Sequence, residues 1–278
     1  MIEIDLIIVD LDGTLLDSKK EIPLENKRII MEILKNGLKF SIFTGRNFHS
    51  ARKYVEEINV DFPMVFQNGA LIMKPFSREI LRMSPLKKEI AIRIINEARK
   101  RNIFFILFTS FFEIKDMVID KEYKGAFEDY LVSNSWRLVY ADDALKCIKD
   151  NVAEVALIGN EKEILEIVKN LERDHPRDFT GVKNIVRNDE VFYEFFGPNT
   201  TKAKALEFLL EYFETTLNKV VFIGDNYNDL SIMEIVGISV AMGNSPDDVK
   251  NKAKFVTLSN DEAGVAYAID KILKGEWK

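Results

Sequence analysis

Cysteine is nearly absent from this chain: Cys147 is the only one in 278 residues. No internal disulfide can form, which fits a reducing cytoplasm. No histidine or asparagine pattern surrounds Cys147, so it reads as a small, at least half-buried residue rather than a nucleophile. Histidine is almost as scarce. His49 and His175 fall in no metal-ligand spacing and read as helix or loop positions. Long apolar runs are also missing. The greasiest stretch, residues 103–108 continuing to Phe111 and Phe112, is far short of the ~20 residues a membrane helix needs and reads as a buried strand. No targeting segment is evident, because the start is acidic at Glu3 and Asp5 and its apolar run has strand length. Positive charge is not in excess: 39 Lys and Arg against 45 Asp and Glu give −6, which offers no general footprint for nucleic acid. No basic residue interleaves the aromatics of 104–112, so they do not form a base-stacking platform. These absences point to a cytoplasmic protein with neither nucleic acid nor membrane as partner.

What is present is a globular composition, 47% hydrophobic and 30% charged. The length suggests about two domains. Short apolar runs at 5–9, 40–43 and 64–66 alternate with helical patterns at 23–36 and 48–58. Pro23 suits a first helical turn and Gly37 a C-terminal cap. A strand–helix–strand–helix–strand order predicts a parallel sheet with helices packed on it. The pattern returns late, with helices at 202–212, 230–235 and 262–273 and strands at 220–223, 238–242 and 255–258. Between them the texture changes. Helices are expected at 86–100 and 162–171, and strands at 103–108, 153–158 and 191–196. Pro85 and Gly197-Pro198 mark a pair of crossings. The fold class is therefore α/β, a Rossmann-like parallel sheet core with an inserted α+β cap. The core is expected at 1–82 and 197–278 and the cap at 83–196, with a ligand cleft where they meet.

The chemistry concentrates at strand ends. Asp10 and Asp12 close an apolar run and lean the same way, because strand side chains alternate. Two crowded carboxylates call for a cation and a proton. Asp10 can attack phosphorus and bind Mg²⁺. Asp12 can hold a proton, its pKa raised by crowding, and give it to a leaving oxygen. In Thr44-Gly45-Arg46 a hydroxyl and backbone N–H groups suit phosphoryl oxygens, and Arg46 can contact a second anion or tie the domains together. Lys202 offers a cation to offset carboxylates and phosphate, with Lys204 competing for that role by proximity. Asp225, leaving the apolar run 220–223, completes an oxygen-rich Mg²⁺ shell with Asp10 and the Asp12 main-chain carbonyl. Asn228 can hydrogen-bond phosphate without repelling it, and Asp229 orients metal waters or Lys202.

Asp10-Leu11-Asp12-Gly13-Thr14, Thr44-Gly45-Arg46, Lys202 and Gly224-Asp225-Asn226-Tyr227-Asn228-Asp229 together resemble the four ordered motifs of the haloacid dehalogenase-like hydrolases. The chain is most similar to the Cof-type sugar-phosphatase branch, whose large α/β cap lies between motifs two and three. Gln67-Asn68-Gly69-Ala70, Ala241-Met242-Gly243-Asn244-Ser245 and Asn260-Asp261-Glu262-Ala263-Gly264-Val265 resemble further segments of it. Ala203 and Ser245 depart from the glycine and alanine common there. The resemblance implies Asp10 as nucleophile and metal ligand, Asp12 as acid/base and carbonyl ligand, and Asp225 as the other metal ligand. It implies phosphate held by the Leu11 main chain, Thr44, Gly45, Lys202 and Asn228, with Arg46, Asn68 and Asp229 in support. The expected function is a Mg²⁺-dependent phosphatase acting on a small phosphorylated metabolite, a sugar phosphate by family default, through an aspartyl-phosphate. A phosphomutase on the same fold is the alternative, and a phospho-aspartate signalling module a more distant one.

Overall fold

The computed structural model describes residues 3–277. The chain divides into two compact units, Met1–Arg82 with Lys202–Lys278, and Met83–Thr201.

The first unit is built on an eight-stranded sheet. Its order is Phe255–Val256, Ile238–Ala241, Val220–Gly224, Leu6–Asp10, Lys39–Phe43, Met64–Phe66, Leu71–Met73, Ile80–Met83. The first six strands run parallel. Leu6–Asp10 is apolar until its last residue and buried throughout, as a central parallel strand covered on both faces must be. Leu6 pairs with Val220 on one side and Lys39 on the other, and Asp10 stands beside Phe43. The chain leaves this strand toward one side of the sheet and returns on the other. The carboxyl ends of Leu6–Asp10, Lys39–Phe43 and Val220–Gly224 therefore meet at a topological switch point, where open α/β sheets bind ligands.

Helices Leu24–Lys35 and Phe48–Ile58 fall within or on the expected bounds. Pro23 precedes the first of them, and Asn47 caps the second by accepting from the Ser50 N–H at 2.9 Å. Helix Lys202–Tyr212 buries Ala205, Leu206 and Leu209 against Leu6, Ile8, Val220 and Phe222. The 230–235 helix closes earlier than its apolar spacing predicts, as Leu230–Met233.

The second unit carries a six-stranded sheet in the order Thr180–Arg187, Glu190–Phe196, Glu154–Asn160, Phe104–Phe108, Met117–Ile119, Leu138–Tyr140. Its pairs are antiparallel except the last. Helices Lys88–Lys100 and Glu161–Asp174 pack Ile90, Ile94, Ile164 and Ile167 onto Phe105, Leu107, Val155 and Leu157. Residues 86–87 form a short strand with Asn151–Val152 rather than the start of the first helix. The two crossings run side by side, with the Ser84 hydroxyl donating to the Pro198 carbonyl at 2.7 Å. Asp143 caps the turn Ala144–Cys147 and pairs with Arg99 at 2.7 Å. No helix among the described residues is long and apolar enough to cross a membrane.

Candidate active site

Every residue singled out at the strand ends lies in the first unit, and most of them cluster at the edge where the three strands finish. Asp10 ends the central strand and is almost wholly buried. Lys202, the first residue of its helix and 1% exposed, reaches it and forms an ion pair. The same ammonium lies 2.5 Å from Asp229 Oδ1. Asp229 Oδ2 accepts from the backbone N–H groups of Asp225 (3.0 Å) and Asn226 (3.1 Å). Asp229 is thus an anchor. It closes the loop after Val220–Gly224 and holds Lys202, leaving its own oxygens spoken for. Gly224 is required there, since a Cβ would collide with the Asp229 carboxylate.

Asp225 receives the Thr14 hydroxyl at 2.9 Å. Gly13 just before it adopts φ +76°, and any Cβ would collide with the Asp225 carboxylate. The tight Gly-Thr step thus brings the first and fourth motifs into contact. Oxygen atoms of Asp10, Asp225 and Asp229 all lie within 4.8 Å of one another. Three carboxylates face one ammonium, an excess of two negative charges in a buried place. Burial pushes Asp10 well above its ordinary pKa; Lys202 opposes this, and the Asp229 and Asp225 charges add to it. Asp225 is pushed up to about 7, by burial first and then by Asp229, against Thr14 and Lys202. Burial works to discharge Lys202, but Asp10 and Asp229 outweigh it and keep it protonated. All-oxygen donors with two uncompensated charges match a hard divalent cation. With Asp229 occupied by Lys202 and two amides, Asp10 and Asp225 are the carboxylates placed to hold one.

Asp12 differs from expectation. Crowding by Asp10 was to raise its pKa, but its carboxylate is held by the Arg46 guanidinium at 2.5 and 2.6 Å and by Lys20 Nζ at 2.8 Å. Burial alone would raise the pKa; Arg46 and Lys20 overcome burial and lower it. Asp12 is therefore ionised as the structure stands. Arg46 in turn lies over the Tyr54 ring, 5.2 Å from its centroid.

Thr44 is buried, and its hydroxyl accepts from the Arg46 N–H at 3.1 Å, shaping the turn around Gly45. Leu11, between Asp10 and Asp12, is buried, and its carbonyl accepts from the Leu16 N–H at 3.0 Å. Asn228, in the turn Tyr227–Asp229, donates from Nδ2 to Asn68 Oδ1 at 3.0 Å. Sequence reasoning gave no role to Thr14, Lys20, Asn244 or Asn260. Asn244 donates to the Gly13 carbonyl at 2.9 Å and accepts from Asn260 N–H at 3.0 Å, while Asn260 donates to the Leu16 carbonyl at 2.8 Å. Together they clip the loop that follows Asp12. The asparagines lay within segments already noted for their resemblance. Lys20 had no signal, since lysines are frequent and its φ of +62° is invisible in a sequence.

A sheet-edge cluster of this kind, on this fold, belongs to the haloacid dehalogenase-like hydrolases: that family's model matches residues 7–269, and the chain is a member of it. Its class is that of the phosphoric monoester hydrolases. Phosphatase YwpJ of Bacillus subtilis is 27% identical over 96% of this chain and 99% of its own length. The 5-amino-6-(5-phospho-D-ribitylamino)uracil phosphatase YwtE of the same organism is 27% identical over 98% and 99%. Among solved structures, a haloacid dehalogenase-like hydrolase from Bacteroides thetaiotaomicron superposes with a TM-score of 0.80 at 28% identity, covering 97% of this chain and 100% of that one.

Proposed function

We propose that this chain is a Mg²⁺-dependent phosphatase of small phosphorylated metabolites, with sugar and sugar-alcohol phosphates as the foremost class. The observation that carries the reading is the buried Asp10 set between Lys202 and Asp225, where charge is short by one divalent cation. The similar YwtE, by its name, acts on a phosphate borne by a ribityl chain, which supports the substrate class.

In this reading an Asp10 oxygen attacks phosphorus, a phosphorus–oxygen bond to Asp10 forms, and the ester bond breaks. Thr44, the Gly45 and Leu11 backbone, Lys202 and Asn228 hold the phosphoryl oxygens. The departing alkoxide takes a proton from Asp12. Water then attacks the aspartyl-phosphate, Asp12 takes the water's proton, and inorganic phosphate leaves as Asp10 is regenerated. Asp12 is ionised in this structure, the state suited to the second half-reaction. Before the first it must part from Arg46 and Lys20 and gain a proton. A divalent cation held by the Asp10 and Asp225 carboxylates and the Asp12 main-chain oxygen would neutralise phosphoryl charge. In this reading the inserted unit selects among substrates.

The test is release of inorganic phosphate from a panel of sugar, sugar-alcohol, nucleotide and cofactor phosphates, with Mg²⁺ or with chelator, for wild type and Asp10→Asn. Release that needs both Mg²⁺ and Asp10 supports the reading. Isomerised sugar phosphate without net release would turn it into a mutase. Release that survives Asp10→Asn would overturn the nucleophile.

A further inference from the structure

The four-residue turn between Met64–Phe66 and Leu71–Met73 is strained. Gln67 and Asn68 adopt φ +47° and +54°, and Gly69 follows at φ +112°, all three buried. Two successive non-glycine residues in the left-handed region are costly, and such strain persists only where the surroundings over-determine it. The surroundings here are the phosphate-side loops. The Gln67 N–H donates to the Arg46 carbonyl at 3.0 Å, and the Asn68 N–H to the Thr44 carbonyl at 3.1 Å. The Asn68 carboxamide lies against Gly45, where an added Cβ would meet its Oδ1 and Nδ2 at 3.5 Å. From there its Oδ1 accepts from Asn228 Nδ2. One buried side chain thus bridges loops that follow Lys39–Phe43 and Val220–Gly224, on opposite sides of the Asp10 strand.

Resting on the phosphatase reading, we propose that Asn68 is a positioning residue for the phosphoryl group, acting through Asn228. A carboxamide can face an anion with its N–H or, flipped, with its oxygen. An acceptor at Asn68 Oδ1 fixes the Asn228 nitrogen on that side, and its second N–H is then the group presented to a phosphoryl oxygen. The left-handed backbone is what places the Asn68 side chain over Gly45 rather than out along the hairpin.

The experiment separates this role from a structural one. Asn68→Gly removes the side chain and relieves the backbone, so its melting temperature is expected at or above wild type. KM for the best ester of the panel and the inhibition constant of inorganic phosphate are expected to rise about tenfold, the loss of one well-placed hydrogen bond to a charged group. Asn68→Ala serves if the glycine variant does not accumulate. Because Asn68 acts through Asn228, the double variant with Asn228→Ala should be no worse than Asn228→Ala alone within about twofold. Wild-type constants in a folded Asn68 variant, or losses that add, would overturn the proposal. So would failure of both variants to fold, which would make Asn68 a residue of stability. If wild-type protein neither cleaves esters nor binds phosphate, it is the phosphatase reading that has failed.

Discussion

Each unit buries charge, and the two do so differently. In the inserted unit Asp116 and Arg137, 0% and 4% exposed, meet in a two-pronged pair, Nε to Oδ1 at 2.8 Å and Nη2 to Oδ2 at 2.7 Å. One carboxylate meets one guanidinium in matched geometry, which is the arrangement that makes a buried ion pair tolerable. At the sheet edge of the first unit, one ammonium faces three carboxylates. The Asp116–Arg137 pair closes on itself, with the charges of Glu154 and Glu194, also buried, acting in the same region. The second arrangement, in the proposed reading, is completed by a cation with phosphate beside it. A two-pronged pair satisfies both of its partners, whereas one ammonium shared among carboxylates leaves oxygens that could hold a cation.

The contrast can be broken by experiment. The largest effect belongs to Asp10→Asn, which should lower phosphate release by about 10⁴-fold or more. It should leave the melting temperature of metal-free protein unchanged or higher, because one uncompensated charge is gone. The opposite split is expected of Arg137→Met. Stranding Asp116 should cost about 3–5 kcal/mol in chemical denaturation. The metal response of phosphate release from whatever protein stays folded should be unaltered. Equal effects of the two variants on stability would erase the distinction.

Metal addition sharpens it. At about 100 times its dissociation constant, Mg²⁺ should stabilise wild type by about 2.7 kcal/mol, and Asp225→Asn by much less, as read from thermal melts with and without chelator. A further effect is on pH. The Asp225 carboxyl is at about 7 in the folded protein against 3.8 ordinarily, so the folded state binds the proton more tightly than the unfolded one. In chelator, stability should therefore fall as pH rises from about 3.8 toward about 7. Saturating Mg²⁺ should flatten that slope. A slope unaffected by metal would separate the titration from the cation site.

Much of the first unit was legible because its signals are local and strong. Runs such as Ile7-Ile8-Val9 can only be buried strands, and a carboxylate at the end of one has no packing reason to be there. The helix at Phe48–Ile58 and the strand at Met64–Phe66 fall on the expected bounds. The inserted unit was less readable. Met117–Ile119 and Leu138–Tyr140 are three residues each, too short to display a period, and Thr180–Arg187 alternates weakly and carries a bulge between Lys183 and Ile185. In the site, the misreading of Asp12 is instructive. Sequence places Asp10 nearby but says nothing of Arg46, 34 positions on, folding back to grip both of its oxygens. Contacts across such separations decide electrostatics, and sequence spacing does not carry them.

The order of the central sheet has a consequence for synthesis. Leu6–Asp10 takes one neighbour from residues 39–43 but the other from Val220–Gly224, more than two hundred positions later. A ribosome adding roughly 5–20 residues per second leaves that side of the strand unpaired for on the order of 10–40 s. Throughout that interval an apolar strand ending in Asp10 offers an open edge to any other nascent chain. The part of the protein made first is thus the part a chaperone would need to shield longest.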